Sequence, residues 1–375
     1  MECNRTVSRI TAYLHRNISK DVLDALKEAG VQDCHIYSAR SLVVEEKKGV
    51  FSLLPGRDLA EDPLDTLFFL VHPELEDSLI SLIIAKGELY FPGRGTVIAE
   101  EVTLLESHDL CVENELPSFE FKAPSIHLHP CIGICCIMKR GEGDTVARIP
   151  LDMGMCVPAI HFGTGTGVRD KMGILRITIP AEKEIVQSFT TPYEANNIME
   201  MMIEAGQLSR PGSGFIYGFP VKKGLINLRV KRGEQRYAAS IEQIITVLDS
   251  IRGNTDWRNR KSVFEKKARK KKVYIRNLVD LMLLCDAGTG IKLVEASMAA
   301  GAGGATMCHA KHIRSADSPL SDIPLARDAC SMVVPESTVD AVVAALRQAG
   351  AFTDRCHGQV HIRQTSKAFT YVGRQ

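Results

Sequence analysis

This chain has almost no net charge. Its 375 residues carry 46 Lys and Arg against 45 Asp and Glu, a formal balance of +1. No global field therefore draws it to nucleic acid or to a membrane, and no DNA partner is expected. Long apolar runs are missing too. Stretches such as LFFLV at 67–71 are far too short to span a bilayer. The eleven cysteines contain no Cys-x-x-Cys pair, and an odd count at irregular intervals fits reduced thiols better than a disulfide framework. The opening MECNRTVSR has no apolar segment before a small-residue cleavage site, so a cytoplasmic protein is predicted. Neither Gly-x-Ser-x-Gly nor His-Glu-x-x-His occurs, and no paired carboxylates have a spacing that calls for acid–base roles. A non-enzymatic protein is the expectation, with an enzyme on a ferredoxin-like scaffold ranked last.

What is present is repetition. From Ser8 to Leu105 the periodicities read strand (SRITAYLH), helix (SKDVLDALKEAG), strand (DCHIYSARSLVVE), strand (TLFFLVHP), helix (ELEDSLISLIIAKGE), strand (TVIAEEVTLL). Apolar residues such as Val22, Leu23 and Leu26 recur at helical spacing, and the two helices are predicted to close on Gly30 and Gly87. The same order returns from about Cys131 to Lys231 and again from Val273, with Pro150 inside the second unit's first helix predicted to end or kink it early. The order βαββαβ is that of the ferredoxin-like fold. The fold class predicted is α+β: three tandem ferredoxin-like domains at 7–106, 131–232 and 273–375. Residues 107–130 form a linker and 233–272 a helical and basic linker. The stretch 257–272 carries nine Lys and Arg against one Glu.

The run AGQLSRPGSGFIYGFPVKKGLINLRVKRGE, at 205–234, resembles the closing section of PII nitrogen-regulatory proteins, in which a helix ends, a Gly-x-Gly loop turns, and a strand ending in Pro-Val leads to a basic loop. FGTGTG at 162–167 falls where that family begins its long loop between strands two and three. The match is fullest in the second unit, weaker in the first (FPGRGTVIAEEV) and faint in the third. The resemblance implies a signalling protein whose domains form trimers, bind adenine nucleotides (ATP, ADP or AMP) in the clefts between them, and dock mobile loops on a protein target such as a membrane transporter. Three copies in one chain imply an intramolecular pseudo-trimer; domains that trimerise between chains, giving a homo-oligomer, are the competing arrangement. Where the family places a lysine just after Gly-x-Gly, this chain has Thr96, Phe215 and Gln359, which leaves a less charged nucleotide, another anion or no ligand at all. The family's tyrosine-bearing modification loop is not recognisable, so uridylylation is not expected.

Closely spaced glycines let a backbone approach a ligand and cradle phosphate oxygens with successive N–H groups. Gly163, Gly165 and Gly167 at one loop, with Gly212, Ser213 and Gly214 at another, are the candidate cradle, and by resemblance the two loops line one cleft. Arg169 or Lys171, Arg210, and Arg229, Lys231 or Arg232 are the candidate phosphate partners. Replacing Gly214 by a β-branched residue is expected to abolish binding and leave the fold.

Two alternatives stand beside this reading. The third unit carries Cys308, His309 and His312 at one loop base and Cys356 and His357 at the other, with His361 on the following strand; thiolate and imidazole together suit zinc or copper. A second cluster, His127, His129 and Cys131 near Cys135 and Cys136, is ranked lower, because adjacent strand residues face opposite sides. The basic run at 257–272 suits RNA or an anionic membrane, or is a solvated linker.

Overall fold

In the computed structural model, residues 2–47, 56–108, 121, 128–167, 182–227, 272–314 and 322–371 are described. The chain begins with β1 (Glu2–His15), α1 (Arg16–Glu28), β2 (Cys34–Lys47), β3 (Gly56–Val71), α2 (Glu76–Gly87) and β4 (Gly95–Ser107). It continues with β5 (His129–Lys139), α3 (Gly143–Asp152), β6 (Ala159–Gly167), β7 (Glu182–Thr190), α4 (Ala195–Ala205) and β8 (Gly214–Leu225). A third passage has β9 (Leu278–Asp286), α5 (Gly290–Ala299), β10 (Gly304–Ile313), β11 (Ala326–Pro335), α6 (Val339–Gln348), β12 (Gln359–Gln364) and β13 (Lys367–Thr370).

Three self-contained ferredoxin-like domains do not result. All thirteen strands join one antiparallel sheet in the order β10-β11-β9-β12-β4-β1-β3-β2-β6-β7-β5-β8-β13. The seams are hydrogen-bonded ladders between chain segments predicted to be separate. Gln359 and Ser107 pair across β12 and β4, Ala39 and His161 across β2 and β6, and His35 and His312 across β2 and β10. The strand edges that would have bounded three small sheets are thus consumed by one another, which removes the exposed donors and acceptors that an isolated edge presents.

Strand alternation explains how both faces are buried. On β1, Ile10, Ala12 and Leu14 pack with Val22, Leu26, Leu79 and Ile83 of α1 and α2. On β9, Val279, Leu281, Leu283 and Cys285 pack with Leu293, Val342 and Leu346 of α5 and α6. The intervening residues include Arg9, Thr11, Glu100, Asp280, His361 and Arg363, and these too are buried. One face of each strand therefore builds an apolar helix-covered core, at about 1.5–3 kcal/mol per large side chain. The other face meets strands from elsewhere in the chain.

Local expectations fare variously. Gly30 follows α1 with φ +93°, but the left-handed residue after α2 is Glu88, at φ +48°; a Cβ on Gly87 would instead strike Leu89. Pro150 does not stop α3, which runs on to Asp152. Contacts divide the chain into a unit of Met1–Val43, Leu59–Val230 and Ile275–Gln375, and a second of Val44–Asp58 and Lys231–Tyr274. Of the second unit, the described residues include the C-terminal end of β2 and the start of β3. The predicted linkers at 107–130 and 233–272 lie mostly outside the described residues. Among the described residues, no helix is long and apolar enough to cross a membrane.

Candidate functional site

Between β6, the start of β7 and β10 lies a cleft of about 300 Å³, lined by Arg140, Phe162, Gly163, Thr164, Glu182, Lys183, Met307 and His309. Gly163 sets its depth. A Cβ there would come within 2.9 Å of the Met307 carbonyl and 3.2 Å of Cys308 Sγ, so only glycine lets β6 and β10 approach this closely. Phe162, next along the strand, turns outward and stays half exposed. The guanidiniums of Arg140 and Arg40 lie 5.5 and 5.7 Å from its ring centroid, within cation–π range.

The two sides of the cleft are braced in the same way. Glu184 on β7 accepts the backbone N–H groups of Gly141 (3.0 Å) and Gly143 (2.7 Å) at the start of α3, and its other oxygen accepts from Arg40 at 3.0 Å. Arg40 also pairs with Asp144 at 2.6 Å and Glu61 at 2.9 Å. Burial would lower the guanidinium pKa, but the carboxylates of Asp144, Glu184 and Glu61 outweigh it and raise it. On the opposite side, Asp328 accepts from Gly288 N (2.8 Å) and Gly290 N (3.3 Å) before α5, and its second oxygen lies 2.9 Å from His309 Nδ1. At α1, Asp65 accepts instead from a side chain, Ser19 Oγ at 2.6 Å. A carboxylate at the N-terminal end of a helix satisfies orphan donors and meets the positive end of the dipole.

The predicted cradle residues occupy three different settings. Gly163, Gly165 and Gly167 are strand residues, laddered to β7 at Gly163–Lys183 and to β10 at Gly165–Thr306 and Gly167–Gly304. None of the three has positive φ. Of them, Gly163 alone lines the cleft. Arg210, Gly212, Ser213 and Gly214 form the turn from α4 into β8, with Gly212 at φ +71°, and none of them lines it. Gly214, at φ +152°, sits so close to the Ile137 carbonyl that a Cβ would overlap it. That residue is a packing requirement of the fold, which corrects the expectation that it can be replaced harmlessly. Arg169, Arg229 and Lys231 lie outside the described residues.

The predicted metal residues are dispersed as well. Cys308 is packed beside Gly163, where burial pushes its thiol up to about 12. His309 is taken by Asp328. His357 Nδ1 contacts Asp286 at 2.7 Å, and Arg327 bridges Asp286 and the His357 carbonyl. The Cys356 carbonyl accepts from Asp286 N at 2.9 Å. His312 alone finds company, in residues the sequence reading did not select: it lies with Asp33 and His35, their ligand atoms all within 4.8 Å of one another. His312 Nε2 is 2.9 Å from Asp33 Oδ1 and His35 Nδ1 is 3.6 Å from it. The imidazoles stack at 5.0 Å with 17° between planes, and Phe68 stacks on the far side of His35 at 5.3 Å. Burial drives the His35 pKa down to about 3, with Arg327 and His312 adding to it and Asp33 opposing. Burial would raise Asp33, but the two imidazoles outweigh it and hold the carboxyl below its ordinary value. The spacing Asp-x-His at 33–35 is the one available signal, since i and i+2 share a strand face.

No protein-family model matches this chain, and no curated protein matches it.

A third constellation fills the inner face of the sheet. Glu100 accepts from Arg9 Nε at 3.0 Å and Nη2 at 2.7 Å, and its other oxygen accepts from Arg363. Arg363 also donates to Asp280 at 2.8 Å, which takes Ser331 Oγ at 2.7 Å and Tyr217 Oη at 2.9 Å. The Arg363 guanidinium lies 3.6 Å from the Phe219 ring centroid. Two cations and two anions, all nearly inaccessible, balance here. Such a set specifies which strands meet and has no access for a ligand.

Proposed function

We propose that this chain is a non-enzymatic, PII-like regulatory protein of the cytoplasm, binding a small anion with a planar group, an adenine nucleotide being the test case, in the cleft between β6 and β10. The observation that carries the reading is the exposed Phe162 ring flanked by guanidiniums at the mouth of a cleft whose wall is the backbone of Gly163. An aromatic face takes a base by stacking, at about 1–3 kcal/mol. Arg140 and Lys183 supply charge for phosphate, and Arg140 must exchange its 2.9 Å pairing with Glu182 to do so. A protein target, by the family resemblance a membrane transporter, would respond to the occupied cleft.

Titration calorimetry with ATP, ADP, AMP and inorganic phosphate tests the reading. Binding of at least one nucleotide is expected, weakened about tenfold or more in Arg140→Ala and Phe162→Ala. Ligand at 100 times its Kd stabilises by about 2.7 kcal/mol, so a thermal shift accompanies binding. Absence of heat and of any shift with all four compounds at millimolar concentration would overturn it.

A further inference from the structure

We infer that Asp33, His35 and His312 form a binding site for one divalent transition-metal ion, of the zinc class, that joins β2 to β10. His35 and His312 are register partners in the ladder between those strands, and Asp33 precedes β2 by one residue. Two strands from opposite ends of the chain therefore place their imidazoles side by side at a seam of the sheet.

The three ligand atoms lie within 4.8 Å of one another. Neither nitrogen of His312 makes a directed hydrogen bond, and its side chain is fully buried. Yet Nε2 stands 2.9 Å from Asp33 Oδ1. Asp33 Oδ1 is thus in reach of both imidazoles, and the three ligand atoms gather about a common point. Nδ1 of His312 is buried without a hydrogen-bond partner, at a cost of about 1–3 kcal/mol, and coordination through an imidazole nitrogen offsets part of it. The separations of 2.9 and 3.6 Å are those of ligands about 2.05 Å from one centre at angles of about 90–120°.

Two nitrogens and one carboxylate leave a further position for water, and this donor set suits zinc, cobalt(II) or iron(II) better than calcium or magnesium, which take oxygen ligands. Arg327 lies near the trio, but Asp286 is its direct partner and offsets its charge. Asp33 is the one member of the trio with some exposure, its side chain 15% accessible. The site is separate from the anion cleft. Its ligands are carried by β2 and β10, and none of them lines that cleft.

The test uses the full chain, freed of metal by chelator, and cobalt(II) and zinc(II) as probes. Wild-type protein is expected to take up one cobalt(II) per chain, with visible d–d absorption that zinc(II) displaces. X-ray absorption on the zinc form is expected to show nitrogen and oxygen neighbours and no sulfur. Asp33→Asn and His35→Gln, each checked for native circular dichroism, are expected to bind cobalt(II) more than about 100-fold more weakly, beyond what loss of an outer-shell partner causes. No stoichiometric uptake by wild type, sulfur in the zinc shell, or unchanged affinity in a folded variant would each overturn the assignment. Should both variants fail to fold, the wild-type stoichiometry and zinc shell decide it alone.

Discussion

Glu100→Gln is the sharpest test of how the inner face of the sheet is held together. The carboxylate serves Arg9 through two hydrogen bonds and Arg363 through a third, and all three side chains are nearly inaccessible to water. With Asp280 the group is neutral; without the Glu100 charge it holds two guanidiniums against one carboxylate. Removing one partner of a buried ion pair typically costs about 3–5 kcal/mol, because the charge left behind keeps its desolvation penalty. At roughly 2.1 cal/mol/K of unfolding entropy per residue, a chain of this length has a slope near 0.8 kcal/mol/K, so Tm falls by about 4–6 °C. The variant also changes the acid limb. Burial would raise both carboxyls, but Arg363 and Arg9 outweigh it and hold Glu100 and Asp280 below the ordinary carboxylate range. A group depressed in the folded state stabilises fully above that range, and the contribution is lost as pH falls through its folded value. Wild-type stability therefore drops on acidification below the ordinary range, and the drop is shallower in Glu100→Gln. Urea melts from pH 3 to 7 measure both effects. A variant within about 0.5 kcal/mol of wild type at pH 7, or one with an unchanged acid limb, would refute the network's role.

Gly214→Ala is expected to destabilise the chain by about 1–3 kcal/mol, because the added Cβ overlaps the Ile137 carbonyl on the neighbouring strand; Gly212→Ala, with open space around its Cβ position, should cost less, and equal melts for the two would count against the close-approach argument. Burial pushes the thiols of Cys135, Cys156 and Cys308 up to about 12. At pH 8 about one in ten thousand of each is then thiolate, so disulfide reagents should label them only as fast as the native state opens, whereas denatured protein should titrate all eleven cysteines at once. Rapid labelling of native Cys156, located by mass spectrometry, is the contrary result.

The strand and helix periodicities are legible because each element has one face against a helix-covered core. Val22 and Leu26 on α1, like Ile10, Ala12 and Leu14 on β1, advertise that face. The joining of the sheet is not legible. Arg9, Glu100, Asp280 and Arg363 read along their strands as the polar half of an ordinary alternation, facing water. Nothing local announces that Arg363 and Glu100, 263 positions apart, are each other's partners. The same limit hides the metal trio, since Asp33 and His35 acquire meaning only when β10 brings His312 beside them. FGTGTG misleads in the opposite direction. It has loop composition, yet Gly163 belongs to a strand that must pass close to another, and what it contributes to the cleft wall is an absent side chain.

The seam between β4 and β12 has a consequence for synthesis. Leu104, Glu106 and Ser107 find their ladder partners at 359–361, about 250 residues later in the chain. At ribosomal rates of about 5–20 residues per second, that stretch of edge waits about 13–50 s for its strand. Throughout that interval it is open to pairing with another nascent chain on the same message. Glu100, Glu101 and Glu106, carried on β4, give neighbouring copies of that strand like charges, a kinetic guard for an edge that the finished molecule no longer has.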